Sequence, residues 1–258
     1  MRERRGWQVT GTLALALVMA FGVVQTWAMV VQQRTVSERS YDVAVTKVQL
    51  DTGSAAVRIR PGPEGRVVVH QNLDWMVRAP VVSTSFEGTV LTVRMRCNQV
   101  LPMADLGCGA MIDLEVPAAA SVAGEGTSGS VEIADLRGDV RLSLTSGAIH
   151  LTGLSGQVYA STTSGMVQAK GLSSARAEVS VASGSVELEF SAAPRSVDVS
   201  TRSGSLELTL PRDAHYNFTG DIGSGSRHID PTLADSSSPN SVRVSVGSGV
   251  VSIDAAGN

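Results

Sequence analysis

The chain has 258 residues, and its 21 Lys and Arg against 24 Asp and Glu give a net charge of −3. This balance provides no basic field for a nucleic acid, and the length suits one large or two small domains. Aromatic residues make up only 4% of the chain, whereas Val, Ser, Gly, Thr and Ala are frequent. That composition is typical of many short strands joined by tight turns.

The amino-terminal segment predicts an anchor in a membrane. Three arginines among the first five residues precede an apolar run of about 20 residues, long enough to cross the hydrocarbon core. They predict a cytoplasmic stub at 1–9, a transmembrane helix at 10–31 and an extracytoplasmic remainder, and Trp27 near the outer end favours retention of the helix. The alternative is a cleaved signal peptide with its apolar region at 13–24. Both interpretations predict export.

The exported part is expected to begin with a short polar stalk at 32–41. From Tyr41 onward apolar and polar residues alternate with a period of two, which predicts strands. The region up to Pro117 shows only a faint repeat, and the ends of a stack of repeats are usually atypical. We therefore assign 42–256 to one β-strand domain.

The two cysteines of the chain, Cys97 and Cys108, lie eleven positions apart. In an exported protein such a pair predicts a disulfide that closes a short loop. Free thiols are the alternative. A metal site is not expected, because no second Cys or His pair lies nearby.

A Ser-Gly pair recurs through the second half of the chain at intervals of 18, 18, 19, 20, 21 and 24 residues. A period near 20 predicts stacked repeats. Glycine permits a tight turn, and serine hydroxyls can bond backbone groups there, so we interpret the pairs as structural corners and not as nucleophiles. The corner residues are Ser128, Gly129, Ser146, Gly147, Ser164, Gly165, Ser183, Gly184, Ser203, Gly204, Ser224, Gly225, Ser248 and Gly249. Stacked, the seven serines would form a hydroxyl ladder.

The residues after each corner glycine alternate in character. Positions two and four are apolar in 13 of 14 cases, with Arg227 the exception, and position three is always polar. The position-three residues are Glu132, His150, Gln168, Glu187, Glu207, His228 and Ser252. Since side chains alternate across a strand, positions two and four should point inward and position three outward. The fold class predicted is all-β, a single-chain β-solenoid of about 18–21 residues per repeat, preceded by one transmembrane helix.

The spacing loosens after Pro211. Segment 231–241, rich in Ser and Pro, predicts a surface excursion that lengthens the last interval. Val242, Val244 and Val246 are then expected to pair with Val251 and Ile253 and to close the body.

The repeats resemble a bacterial β-strand-repeat or "putative adhesin" family of unknown function. The resemblance rests on the repeated Ser-Gly-x-[Val/Ile/Leu]-x-[Ile/Leu/Ala] unit, the Val116-Pro117 entry and Leu208-Thr209-Leu210-Pro211 before the last repeats. It covers roughly 43–253. It implies a solenoid like the head domain of an adhesin and a role in surface adhesion, and it supplies no catalytic residues.

Three patterns that could indicate catalysis or metal binding also have structural explanations. Asp51-Thr52-Gly53 matches an aspartic-protease motif, but only one copy exists, and the residues also fit an early corner. His150 and His228 share the outward column about 19 Å apart if four repeats separate them, too far to hold one metal ion.

The third pattern is acidic, because a parallel β-helix can carry carboxylates that cleave glycans. Glu132, Glu187 and Glu207 share the outward column, and Glu187 and Glu207 on adjacent coils would be about 5 Å apart, the separation of a retaining glycosidase. Exposed carboxylates have no raised pKa, however, so a solvated face is the favoured interpretation.

The sequence therefore predicts a membrane-anchored, extracytoplasmic, non-enzymatic adhesin or surface interaction module without catalytic residues, cofactor or metal. Its expected partners are the membrane and an envelope polymer or surface protein, with no nucleic acid. One alternative is a structural or sensing component of the envelope without external ligand. The other is a polysaccharide-active β-helix enzyme.

Overall fold

The computed structural model describes residues 33–75, 79–97 and 108–257, which form β-strands and one 3-10 turn at Pro231–Leu233. In chain order the strands are β1 (Gln33–Tyr41), β2 (Lys47–Asp51), β3 (Ala56–Pro61), β4 (Val67–Trp75), β5 (Val81–Glu87), β6 (Val90–Arg96), β7 (Cys108–Val116), β8 (Ser121–Gly126), β9 (Ser130–Ala134), β10 (Val140–Thr152), β11 (Val158–Leu172), β12 (Arg176–Phe190), β13 (Ser196–Leu210), β14 (Asn217–Thr219), β15 (Ile222–Ile229) and β16 (Ser241–Ala255). None of the helical structure in these ranges is long and apolar enough to span a membrane. The span predicted at 10–31 lies outside the described residues.

The strands form two faces joined at the Ser-Gly corners. Each of the long strands β10 to β13 and β16 contributes its first half to face A and its second half to face B, and neighbours pair in parallel. In spatial order face A contains β5, β6, β2, β8, the first halves of β10, β11, β12, β13 and β16, and β14; face B contains β1, β4, β7, β3, β9, the second halves and β15. This is the predicted all-β solenoid. The eleven levels of face B span roughly 48 Å at about 4.8 Å per level.

The core lies between the two faces and is built from the predicted inward columns. Twelve of the fourteen residues at positions two and four after a corner glycine are buried. The exceptions, Arg227 and Ile229, belong to β15 in the outermost coil. In β10 the inward residues Leu142 and Ile149 face the core from opposite sheets and are 2% and 0% exposed. The period-two pattern is therefore the pattern of a two-faced stack.

The coils do not stack in chain order at the carboxyl-terminal end. β16 lies between β13 and the pair β14 and β15, so the last described strand is an interior strand. The expected pairing of Val242–Val246 with Val251 and Ile253 is wrong: these segments are the two halves of β16, on different faces. The connection from β15 to β16 is long enough to step back one level. It is mostly exposed, as predicted, but it buries Leu233 in the core.

The amino-terminal end is closed by antiparallel strands. β1 pairs with β4, β4 with β7, and β5 with β6, whereas β2 and β3 are inserted in parallel between β6 and β8 and between β7 and β9. Residues 33–41, for which a stalk was expected, instead form edge strand β1. Its polar residues suit a sheet edge that faces solvent on both sides.

Candidate interaction surface

The Ser-Gly corners stack directly on one another. Ser146-Gly147, Ser164-Gly165, Ser183-Gly184 and Ser203-Gly204 are in register on successive coils, followed in space by Ser248-Gly249 and then Ser224-Gly225. The φ of Gly204 is +146°, and a Cβ there would lie 1.7 Å from the carbonyl oxygen of Gly184. Only glycine fits this backbone and this approach.

The corner serines form a row of exposed or half-exposed hydroxyls. Ser203 Oγ lies 3.1 Å from Ser248 Oγ, within hydrogen-bond distance. In the part of the chain that the structure describes, no corner serine is hydrogen-bonded to a histidine or carboxylate. A serine without such a base is not activated as a nucleophile.

The Asp-Thr-Gly motif forms an earlier level of the same corner. The Thr127 and Ser128 backbone N–H groups donate to the Gly53 carbonyl at 2.9 and 3.0 Å. The carboxylate of Asp51 accepts two bonds from Arg96, at 2.9 and 2.6 Å, and this guanidinium lowers the pKa of Asp51. An ion pair that lowers the pKa of a carboxyl disfavours its protonated form, whereas an aspartic-protease dyad must hold a shared proton.

Face B carries one outward polar column along the whole stack. In spatial order it contains Glu38, His70, Asp113, Arg58, Glu132, His150, Gln168, Glu187, Glu207, Ser252 and His228. Arg58 bridges two acidic neighbours, with Nε 2.9 Å from Glu132 and Nη1 3.6 Å from Asp113. The part of this column from Glu132 onward was predicted from the sequence. The first four members were missed because their strands are out of chain order.

The two histidines of the column are further apart than expected. Because β16 is inserted, five levels separate His150 from His228, about 24 Å instead of about 19 Å. Among the described residues no group of three or more His, Cys, Asp or Glu could hold a metal ion.

Glu187 and Glu207 are direct neighbours on adjacent strands, as expected for a candidate glycosidase pair. Gln168 donates a hydrogen bond to Glu187, and Lys170 Nζ lies 3.0 Å from its Oε1. These contacts lower the pKa of Glu187. A general acid needs a raised pKa, so the environment of Glu187 opposes that role. Glu132 lies three levels away, about 14 Å.

The family model of Toastrack DUF4097 matches residues 28–254. The chain belongs to the Toastrack DUF4097 family. This assignment agrees with the resemblance to adhesin-like repeat proteins that the Ser-Gly units carry. No curated protein was found to be similar to the chain.

Three solved structures are similar to this chain at low sequence identity. A putative adhesin from Bacteroides fragilis is 15% identical, with a TM-score of 0.51 over 86% of this chain and 97% of that one. A putative adhesin from Parabacteroides distasonis is 11% identical, with a TM-score of 0.48 over 85% and 97%. A putative lipid binding protein from the same species is 13% identical, with a TM-score of 0.49 over 86% and 97%. The similarity to the structure from Bacteroides fragilis supports the fold of this chain but no function.

Face A carries a second row, which was not predicted from the sequence. Its outward central position holds five serines in register, Ser143, Ser161, Ser180, Ser200 and Ser245. Each stands three residues before a corner serine, so the signal was a Ser-x-x-Ser-Gly unit. Two of the steps are closed by hydrogen bonds of 3.1 Å, from Ser161 to Ser143 and from Ser200 to Ser180.

Proposed function

We propose that this Toastrack protein is a membrane-anchored, extracytoplasmic interaction module that binds an envelope polymer or a surface protein without catalysis. The membrane part of the proposal rests on the sequence of 10–31 and on the arginines before it. The interaction part rests on the shape and chemistry of the two faces.

The observation that carries the proposal is the continuous, in-register outward column of face B. Eleven levels of polar side chains form a surface roughly 48 Å long. A partner with its own repeat can contact several levels at once, and many weak contacts then sum to useful avidity. The stacked glycine corners keep the levels in register, which such summation requires.

The same column argues against catalysis. Its best acidic pair, Glu187 and Glu207, is solvent-accessible, and Gln168 and Lys170 lower the pKa of Glu187, which opposes a role as general acid. The other long outward feature, the corner serines, lacks a base.

The position of β1 gives the module a direction. The predicted anchor leads directly into β1, at one end of face B, and β15 forms the opposite end. In the proposed arrangement the coil containing β15 is the level farthest from the membrane.

The test uses the full chain reconstituted in lipid vesicles. Vesicles with the protein should be retained on isolated cell envelope more than empty vesicles of the same lipid. Equal retention contradicts the proposal. So does release of sugar fragments from envelope polysaccharide by the wild type that stops in a Glu187→Gln, Glu207→Gln variant, because this result identifies an enzyme.

A further inference from the structure

The two faces of the solenoid do not end at the same level at the amino-terminal end. The level outside β2 and β3 contains β6 and β7, and the next one contains β5 and β4. Face B then continues for one more level with β1, which has no strand opposite it on face A in the described ranges. We call the space beside β5 and opposite β1 the gap.

The edge of β5 presents unpaired backbone groups to the gap. β5 and β6 are joined by the two-residue turn Gly88-Thr89, and the residues that flank such a turn form a hydrogen-bonded pair. Every second residue back from Glu87 therefore bonds to β6, whereas Val82, Thr84 and Phe86 direct their N–H and C=O groups away from it. Within the described residues no strand pairs with this side of β5. Such a row of donors and acceptors is complementary to the backbone of another strand.

The core is open at the gap. Val82, Thr84 and Phe86 also point their side chains toward the core, yet they are only half-buried. Their partners on β6 are 2%, 0% and 0% exposed and are Met95, Val93 and Leu91. One step along the sheet thus changes a covered core into an open one. A strand in the gap would cover these side chains, and burial of their apolar surface would favour its binding.

The other three edges of the solenoid are protected against strand addition. β1 carries the charges of Arg34 and Glu38, β14 has only three residues, and β15 has Arg227 on its inward side. Charge and shortness are common means of protecting an edge. β5 is seven residues long and contains no Lys, Arg or Pro, and its one charge, Glu87, stands at its end. The unprotected edge is therefore the one that borders the gap.

Arg39 gives the gap a preference for negative charge. It lies on the inward side of β1 beside Val69 and is exposed, and in the described part of the chain it makes no side-chain hydrogen bond or ion pair. The rings of Tyr41 and Phe86 are 4.8 Å apart, which aligns β1 with β5. Two residues back along each strand, Arg39 faces the middle of the gap. A carboxylate at the central inward position of an added strand would meet its guanidinium.

The overhang of β1 argues against a second copy of this chain as the occupant. Two copies could pair β5 with β5 about a twofold axis, because an antiparallel pair of identical strands has this symmetry. β1 of each molecule would then fall at the level that β4 occupies in the other. A single extended strand meets no such obstacle.

From these observations we propose that the gap binds an extended segment of another protein, which adds to β5 as a further strand of face A opposite β1. The backbone of the segment bonds to Val82, Thr84 and Phe86, its outer inward side chains are apolar, and its central inward side chain is a carboxylate that faces Arg39. The site is separate from the outward column of face B. The proposal therefore goes beyond the proposed function and does not depend on it.

The test measures binding of capped seven-residue peptides to the full chain, held in detergent, by titration calorimetry. The first peptide has Val, Glu and Val at its second, fourth and sixth positions and Thr elsewhere, and it should bind the wild type. The same peptide with Lys at the fourth position should bind about fivefold more weakly. A form N-methylated at its second, third, fifth and sixth amides keeps every side chain but loses donors on both edges, so it should not bind.

Two variants locate the binding in the gap. Thr84→Pro removes an N–H that faces the gap and leaves the bonds to β6 in place, so binding of the first peptide should fall at least about tenfold. Arg39→Glu alters an exposed side chain, and this variant should prefer the Lys peptide to the Glu peptide. The matched control, Arg202→Glu, makes the same charge change at an exposed position of β13 and should keep the preference of the wild type.

Several results would overturn the proposal. It fails if the wild type does not bind the first peptide, if it binds the N-methylated form equally well, or if Thr84→Pro remains folded and binds as the wild type does. It also fails if Arg39→Glu keeps the preference for the Glu peptide, a result that does not depend on how Thr84→Pro folds. Sedimentation of the wild type as a dimer that Thr84→Pro dissociates would identify a second copy as the occupant instead.

Discussion

Gly204→Ala measures how much the stacked corners stabilise the solenoid. The new Cβ would lie 1.7 Å from the Gly184 carbonyl oxygen, whereas real Cβ atoms essentially never approach below 3.0 Å, so the corner must shift by more than an ångström. The φ of +146° adds about 1–3 kcal/mol of backbone strain for a residue with a side chain. Together we expect a loss of about 3–4 kcal/mol in the free energy of unfolding.

Gly88→Ala is the matched control for this substitution. Gly88 also has a positive φ, +60°, but no atom lies within 4 Å of the position that a Cβ would occupy. Its cost should be the backbone term alone, about 1–2 kcal/mol.

Thermal unfolding followed by far-ultraviolet circular dichroism separates the two variants. For a protein of this size we expect a fall in Tm of about 10 °C for Gly204→Ala and about 4 °C for Gly88→Ala. If the two falls agree within about 2 °C, the close approach of successive corners is not what makes glycine necessary, and the reasoning fails.

Three further predictions concern other parts of the molecule. Arg227 occupies an inward position of the outermost coil, where its charge should block the strand of another molecule from stacking on β15. The Arg227→Val variant should therefore associate and sediment as a larger species than the wild type. Unchanged sedimentation would contradict this role of Arg227. Glu187 has a lowered pKa in the folded state, so its contacts stabilise the fold above the ordinary pKa of a glutamate, and this stabilisation is lost as pH falls through the folded pKa. Glu187→Gln should therefore make Tm less dependent on pH below about 5. A dependence of Tm on pH equal to that of the wild type would contradict the stabilising role of these contacts. The predicted disulfide of Cys97 and Cys108 should leave no thiol for alkylation in the unfolded, unreduced protein, and labelling of both cysteines would refute the bond.

The repeat architecture could be predicted from the sequence because it is local. Position two after each corner glycine, such as Ile149 or Val167, shows its inward direction through alternation alone. Each corner requires a glycine at the same place in its coil, so the repeat can be recognised in the sequence from the spacing of these glycines.

The order of the coils could not be predicted in the same way. Apolar columns of the same spacing occur in each coil, so they do not show that β16 lies between β13 and β15. Only the long connection at 231–240 indicated that the next strand could return to an inner level of the stack. Residues 33–41 looked like a stalk because an edge strand with two solvated sides lacks the alternation that reveals strands.

The serine row of face A shows a third kind of limit. Its members are visible in the sequence as a Ser-x-x-Ser-Gly unit, but Ser245 lies next to Ser200 only because β16 is inserted beside β13. This neighbourhood appears only in the fold.

The insertion of β16 has a consequence for how the protein acquires its structure during synthesis. β14 and β15 leave the ribosome before β16, yet they pair with β16 and not with β13. The outermost coil therefore cannot take its native place until the strand translated after it is present. A nonsense mutation that stops translation at residue 240 would delete β16 and with it the native partner of β14 and β15.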